Sequence, residues 1–321
     1  MMKYRKIEGG EKLTTFIKPM LAQLTDRQAF DDNDWLFEVK WDGYRAVAEV
    51  SKSGIRLYSR NGLSFAKAYA KVYEALKKIR KQVILDGEIV VFDSSNKPNF
   101  QLLQNYTNNS SHPIKYLVFD LLNVEGKDIS GLPLLERKAM LEDLLPKSDI
   151  IEYCDHVLTA GKQFFKVIQE HDLEGMIAKR STSTYKKGAR TTDWLKIKNV
   201  RSEEAVIIGF TEPKGSRKGF GSLLLGQYVR KKLTYIGNVG TGFNDKTLTT
   251  LHGKLKKITA PESPLHIPVK VPGGVTWVEP FYVCNIKFTE KTSDGIVRHP
   301  VFLGLRVDKD AVEAKPEKAK S

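Results

Sequence analysis

FEVKWDGYRA, residues 37–46, sets Phe37, Val39 and Trp41 in alternation with Glu38, Lys40 and Asp42. That is the two-residue period of a half-buried β-strand, with the three charged side chains on one face. Gly43 then ends the strand in a turn. One lysine between two acids has two readings: a solvated strand face, or a site in which the amine is the reagent. The rest of the chain decides between them.

The 321 residues are 41% hydrophobic, enough for a real core and more than one domain. Against 38 Asp and Glu stand 52 Lys and Arg, a net charge of +14. This favours a polyanionic partner, nucleic acid before membrane, because no basic amphipathic helix of membrane type stands out. The two cysteines, Cys154 and Cys284, lie in no metal-ligand spacing and read as reduced thiols. The start MMKYRKIEGGEK lacks the apolar segment of a secretory signal, and no apolar run approaches the roughly 20 residues that span a bilayer. A soluble, cytoplasmic chain is the expectation.

Residues 1–200 alternate strand-like and helix-like segments. LFEVKWDGYRAVAEV, GIRLYS, VILDGEIVVFD, KYLVFDLL, GMIAKR and WLKIKN read as strands, several of them apolar on both faces and so covered on both sides. KAYAKVYEALKKIRK, LLERKAMLEDLL and GKQFFKVIQEHD carry helical spacing. Over residues 201–309 the texture changes to five strands, EEAVIIGF, GSLLLGQYV, KLTYIGNVG, TWVEPFYVCNIKF and LGLRV. The helical piece NDKTLTTLHGKLKKI falls between the third and fourth, the pattern of a five-stranded OB-fold β-barrel. TAPESPLHIPVKVPGG is a Pro-rich connection without regular structure, and the charged tail at 310–321 reads as disordered.

KWDG alone is weak evidence. It gains weight from polar clusters set among apolar positions: YSRNG (58–62), LDGE (85–88), VFDLL (118–122), LEGMIAKR (173–180) and WLKIK (194–198). Charge in such places is unfavourable unless paired, hydrogen-bonded or bound to a ligand. Together they suggest a nucleotide pocket: cations for phosphates, acids for a hard divalent ion, an aromatic for a base. A lysine there, with its pKa lowered by cations and metal, can attack an α-phosphate. No Walker-type G-x-x-x-x-G-K-[ST] occurs, so this is not a P-loop enzyme.

In order and spacing, FEVKWDGYRA, LYSRNG, LDGEIVVFD, YLVFDLL, LEGMIAKR and WLKIK resemble the nucleotidyltransferase motifs of ATP-dependent DNA ligases. The resemblance runs from KPMLA (18–22) to FLGLRVDK (302–309) and is similar above all to the ligase module of bacterial non-homologous end-joining enzymes. It implies an α+β fold: a nucleotidyltransferase (adenylation) domain of antiparallel sheets with flanking helices at 1–200, an OB-fold domain at 201–309, and the tail at 310–321.

By this resemblance Lys40 is the nucleophile that becomes adenylylated. Glu38 falls beside the adenine, and Arg45 and Arg60 match arginines that contact the nucleotide and later the 5′-phosphate. Glu88 matches an acid that contacts ribose and helps hold metal, and Glu174 the acid that coordinates it. Asp86 reads as a structural residue orienting a turn at Gly87. Phe119 stacks on adenine, with Ile177 on its opposite face. Lys196 and Lys198, alternating on one strand face, address the α-phosphate. Arg306, Asp308 and Lys309 match the last motif, which orients pyrophosphate. Contacts to DNA fall to Arg60, to Arg190 in the loop that also holds Tyr185 and Gly188, and to Lys214, Arg217 and Lys218 in PKGSRKGFG (213–221).

The implied cofactors are ATP and Mg²⁺ or Mn²⁺, and the implied substrate is nicked or broken duplex DNA. A Ku-like end-binding protein is an expected partner, the chain an expected monomer associated with the nucleoid, and the segment near Asn199 to Glu203 the expected hinge. The rival readings are an RNA ligase or capping guanylyltransferase on the same fold, and a nucleic-acid-binding scaffold without the chemistry.

Overall fold

The computed structural model describes residues 11–199, 201–213, 215, 217–269 and 274–316. They fall into two compact units that part after Asn199.

In the first unit β1 (Leu21–Leu24), β2 (Asp32–Val39), β3 (Tyr44–Ser51) and β4 (Gly54–Ser59) precede α1 (Ala70–Leu76). β5 (Val83–Val91), α2 (Phe100–Gln104), β6 (Ile114–Val124), β7 (Lys127–Asp128) and α3 (Leu134–Leu144) follow. β8 (Ile151–Tyr153), β9 (Val157–Thr159), α4 (Gly161–Glu170), β10 (Gly175–Arg180) and β11 (Arg190–Lys198) complete it. One sheet runs β1-β11-β10-β2-β9, antiparallel except for the parallel β1–β11 pair. The other runs β4-β3-β5-β6-β7, antiparallel, with β8 parallel to β6.

Alternation assigns the faces. Phe37, Val39, Met176, Ala178, Leu195 and Ile197 turn to one side of the first sheet, against Phe164, Phe165 and Ile168 of α4. The opposite face carries Glu38, Ile177, Lys179, Trp194, Lys196 and Lys198. It looks toward the second sheet, where Trp194 meets Phe119 of β6 edge-on at 6.3 Å. The second sheet's far side packs on a helical layer through Tyr44, which touches Phe65, Tyr69 and Phe100. The polar residues of the motifs therefore lie between two sheets.

Residues 36–50 are not one strand. β2 and β3 belong to different sheets, and Lys40–Gly43 is the crossing between them. A Cβ on Gly43 would lie 2.2 Å from the Ile89 carbonyl oxygen, so only glycine lets this crossing pass over β5. Two bulges mark β6: Gly87 pairs with Val118 and Asp86 with Asp120, which leaves Phe119 as an extra residue, and Leu122 is extra in the same way. Each bulge re-aims a side chain, and Phe119 and Leu122 both join the cluster of Met20, Tyr185 and Trp194 between the sheets.

The second unit comprises β12 (Ser202–Phe210), β13 (Leu223–Val229), β14 (Lys232–Val239), α5 (Asp245–Lys256), β15 (Thr276–Trp277), β16 (Val283–Lys287), β17 (Glu290–Lys291), β18 (Val297–Arg298) and β19 (Val301–Leu305). Its main sheet runs β14-β13-β12-β16-β19. A parallel bridge between Thr241 and Val301 joins its two ends, closing the barrel of an OB-fold. The Asn244 side chain caps α5 by accepting from the Thr247 N–H at 2.8 Å, and Leu248, Leu251 and Leu255 bury its inner face in the barrel core.

The expectation of disorder from 310 onward does not hold for residues 310–316. Ala311–Glu313 form a 3-10 turn with a capping box from Asp310, and Ala314 is fully buried. The Ala314 carbonyl accepts from the Tyr228 N–H at 2.8 Å, and Ala311 and Ala314 cover an apolar patch of Val206, Ile208, Leu224 and Leu233. Charged composition hid two alanines that meet an apolar outer barrel face. Residues 317–321 lie outside the described residues. Among those described, no helix is long and apolar enough to cross a membrane.

Candidate active site

Lys40 follows directly on β2. Its N–H donates to the Gly175 carbonyl at 2.9 Å, and its ammonium pairs with Glu174. Gly175 has φ +154°, and a Cβ there would sit 2.3 Å from the Ile197 carbonyl oxygen, so the position is open to glycine alone. The Glu-Gly pair of LEGMIAKR thus fixes Lys40 twice, by its side chain and by its backbone. Across the same face Ile177 pairs with Glu38 on one side and Lys196 on the other, and Gly175 pairs with Lys198. The structure therefore brings Lys40, Glu174, Ile177, Lys196 and Lys198 together at one end of the first sheet. Glu88 joins from the second sheet: a Cβ on Gly43 would meet its Cγ at 3.0 Å, which places Glu88 against the Lys40 crossing.

Two ionic networks lie behind this cluster. In the first, Asp86 is fully buried and binds Arg45 through both oxygens, each at 2.6 Å. Tyr185 donates its hydroxyl to Asp86 at 2.5 Å and accepts from the Met20 N–H at 3.0 Å, and Arg45 also donates to the Met20 carbonyl. Asp86 does not orient a turn. Gly87 is mid-strand, where a Cβ would meet the Leu117 carbonyl oxygen at 2.5 Å, and Asp86 is the anchor of Arg45. Burial acts against the Arg45 charge, but Asp86 more than offsets it and holds the guanidinium proton more tightly than usual. Burial, with Asp86 beside it, also raises the Tyr185 hydroxyl well above its ordinary value.

In the second network Glu38 is 2% exposed and takes one ammonium on each oxygen, Lys138 of α3 and Lys179 of β10, both at 2.6 Å. Burial works to raise the Glu38 carboxyl, yet the two lysines outweigh it and hold it below the usual range. Lys138, whose ammonium also donates to the Cys154 carbonyl, is raised overall because Glu38 outweighs burial, whereas burial leaves Lys179 lowered. Glu38 is thus no part of a solvated strand face. Lys138 and Lys179 were not legible as partners, since one lies on a helix a hundred residues away. The fully buried Asp120–Arg137 pair, closed by two bonds of 2.8 Å and only 17 residues apart, was missed because strand alternation does not tell which helix side chain meets the strand.

Both networks end on Phe119. Arg45 lies 4.4 Å and Lys179 4.3 Å from its ring centroid, and the ring is 8% exposed, so a base can meet only a small part of it.

The remaining candidates divide between turn, loop and barrel. Arg60 follows β4 at the tight Ser59–Leu63 turn. Arg190 donates to the Ala22 carbonyl, and the neighbouring Lys186 and Lys187 pair with Asp193 and Asp128. In the second unit Arg217 donates to the Phe220 and Gly240 carbonyls, which clamps its own loop, while Lys218 is exposed. Lys214 lies outside the described residues. Arg306 closes a bidentate pair with the buried Asp308, and Lys309 pairs with Glu204.

Among the described residues no three His, Cys, Asp or Glu side chains form a metal cage. Glu174 and Glu88 offer carboxylate oxygens near Lys40, a donor set that fits Mg²⁺ carried mainly by nucleotide phosphates and touched by one or two acids.

The family of ATP dependent DNA ligase domains matches residues 19–198, and that of the ATP dependent DNA ligase C terminal region matches 216–309. The multifunctional non-homologous end joining protein LigD of Pseudomonas aeruginosa is 36% identical over 322 residues, 98% of this chain and 38% of that protein. LigD of Mycolicibacterium smegmatis is 34% identical over 91% of this chain and 38% of its own length. This chain therefore spans less than half of the LigD relatives. The solved mycobacterial DNA ligase D complexed with ATP and MES is similar at TM-score 0.72 and 33% identity, covering 94% of this chain and 98% of that one. With both regions matched in chain order, and the KWDG lysine fixed at the head of the cluster described above, the chain belongs to the ATP-dependent DNA ligase family.

Proposed function

We propose that the chain joins breaks in duplex DNA through an AMP adduct on Lys40, as the ligase component of bacterial end joining. The observation that carries this is the double fixation of Lys40 by Glu174 and Gly175, beside Lys196 and Lys198 on one sheet face.

Glu174 is the acceptor in reach of a Lys40 proton. The freed amine attacks the α-phosphorus of ATP, and the N–P bond forms as the bond to pyrophosphate breaks. Lys196 and Lys198 balance charge on the α-phosphate. An oxygen of the DNA 5′-phosphate then displaces Lys40, which regains a proton, and the 3′-hydroxyl finally displaces AMP to make the phosphodiester. Mg²⁺, held by Glu174 and Glu88 together with the phosphates, would supply electrophilic stabilisation of the transferring group. Arg45, already engaged by Asp86, supports the Phe119 wall beside which Ile177 and the Glu38 network receive the base. Glu88 addresses the ribose. Arg60 meets the 5′-phosphate, Arg190 and Lys218 the duplex, and Arg306 and Lys309 the pyrophosphate. The segment at Asn199–Glu203, of which Val200 lies outside the described residues and Ser202 and Glu203 already belong to β12, is the hinge between steps. A Ku-like end-binding protein and a cytoplasmic, nucleoid-associated setting belong to the same proposal.

Incubation with labelled ATP and Mg²⁺, denaturation and mapping by mass spectrometry should place AMP on Lys40, with none from GTP and with reversal by pyrophosphate. No adduct on Lys40, combined with no AMP released by pyrophosphate, would overturn the reading.

A further inference from the structure

We propose that Arg230, Lys231 and Lys232, at the β13–β14 turn, form a further site on the OB-fold unit that takes the phosphate backbone of duplex DNA. The proposal rests on the DNA-joining reading and adds a phosphate-binding element that no motif of the sequence marks.

The first observation is conformational. Val229 pairs with Lys232, which leaves Arg230 and Lys231 as a two-residue hairpin loop. Their φ values are +48° and +66°, so both sit in the left-handed region, the pattern of a type I′ turn. Such turns favour Asn-Gly, because a long L side chain crowds its own backbone there. The chain meets the same demand elsewhere with a glycine: in the two-residue loop between Val124 and Lys127, Glu125 is followed by Gly126, at φ +51° and +82°. At Arg230–Lys231 no glycine relieves the turn. Folding alone is better served by other residues, and display of charge accounts for these.

The second observation is electrostatic. Arg230, Lys231 and Lys232 are all exposed. Four cations of this unit are paired, Lys291 with Glu203, Arg298 with Glu290, Arg306 with Asp308 and Lys309 with Glu204. Lys218 and Lys287, like the turn's cations, are exposed without an acidic partner among the described residues. The turn's three cations have no acidic partner among the described residues. The mount is rigid. Leu233 and Tyr228 pack in the apolar patch behind the turn, and the Tyr228 N–H is tied to Ala314. Three successive cations on a stiff, strained tip suit a surface of fixed negative charges, and a rigid duplex backbone is one.

The test uses the whole chain with Arg230→Asn and Lys231→Gly together, and separately Lys232→Gln. The double variant has a better turn, so its Tm should rise by a few degrees while Lys40 adenylylation by ATP is unchanged. Its affinity for nicked duplex should fall, and the slope of log affinity against log salt should lessen by about 1.8, at about 0.9 for each phosphate no longer neutralised. Lys232→Gln should lower the slope by about 0.9. An unchanged affinity and slope, or a lower Tm in the double variant, would overturn the proposal. Failure of the parent chain to form the AMP adduct would overturn the ligase reading instead, since the two readouts are separate.

Discussion

Replacing Glu38 by Gln removes the single anion shared by Lys138 and Lys179, both essentially buried. Breaking a buried ion pair by deleting one partner costs about 3–5 kcal/mol, because the other charge is left uncompensated. The site has one escape, loss of the Lys179 proton, which burial already favours. From an ordinary lysine value near 10.4, neutralisation at pH 7 costs about 4.6 kcal/mol at about 1.36 kcal/mol per unit, so the escape saves little. For a unit of this size the loss corresponds to a fall in Tm of roughly 6–20 °C. The pH dependence gives a second readout. Glu38 is held below its unfolded value, so its contribution is present above about pH 4.5 and is lost as pH falls through the lower folded value. The variant has no such contribution to lose. With Lys179 further depressed, its unfolded state binds more protons than its folded state, so its stability should climb between pH 7 and 9. Thermal unfolding of both proteins at pH 5, 7 and 9 measures this. A drop under about 2 °C, with parallel pH profiles, would refute the buried triad.

Asp86→Asn takes the carboxylate from a partly buried Arg45 and should cost about 3 kcal/mol, the low end for a broken buried pair, in chemical denaturation while raising KM for ATP, since Phe119 loses its backing; an unchanged KM would separate Arg45 from the nucleotide wall. Gly175→Ala forces a Cβ to within 2.3 Å of the Ile197 carbonyl oxygen and displaces the hydrogen bond to Lys40. Adenylylation should slow about a hundredfold, as misplacement of a reacting group near 1 Å does, and single-turnover kinetics at the parental rate would contradict the double fixation of Lys40. Burial pushes the Cys154 thiol up to about 12, so iodoacetamide at pH 8 should label it only as fast as the chain unfolds. Faster labelling in native buffer would show that the site opens.

How far these positions were legible in the sequence follows from what each signal measures. Alternation placed Glu38, Lys196 and Lys198 on the correct strand faces, because period two is a local property of the backbone. It could not tell whether a polar face meets water or another sheet, so period two alone left a solvated face open for Glu38, which is buried against Lys138 and Lys179. Gly43 signalled a turn but not that the next strand joins a different sheet, which depends on the close approach to Ile89. Phe119 reached the site through a bulge, and a bulge has no sequence period. The tail misled by composition: Ala311 and Ala314 settle the path of its described residues, and Asp310 and Glu313 are taken up in a capping box.

Why two buried ionic networks stand behind this site is an energetic question, since apolar residues of equal volume stabilise a core as well as a buried pair or better. Stability is therefore a poor reason for Glu38, Lys138 and Lys179 to be there. Position is a better one: each network ends in a cation just over 4 Å from the Phe119 ring, one from each sheet, and each cation is fixed by an acid that is itself buried. A triple change, Glu38→Leu with Lys138→Met and Lys179→Met, separates the two reasons. It removes all three charges together and leaves none uncompensated, so Tm should stay within a few degrees of the parent. Adenylylation of Lys40 should fall by at least about tenfold, because the base would face an unpolarised wall held only by packing. A triple variant that kept both Tm and adenylylation would mean that the network serves neither folding nor chemistry, and position would fail as its explanation.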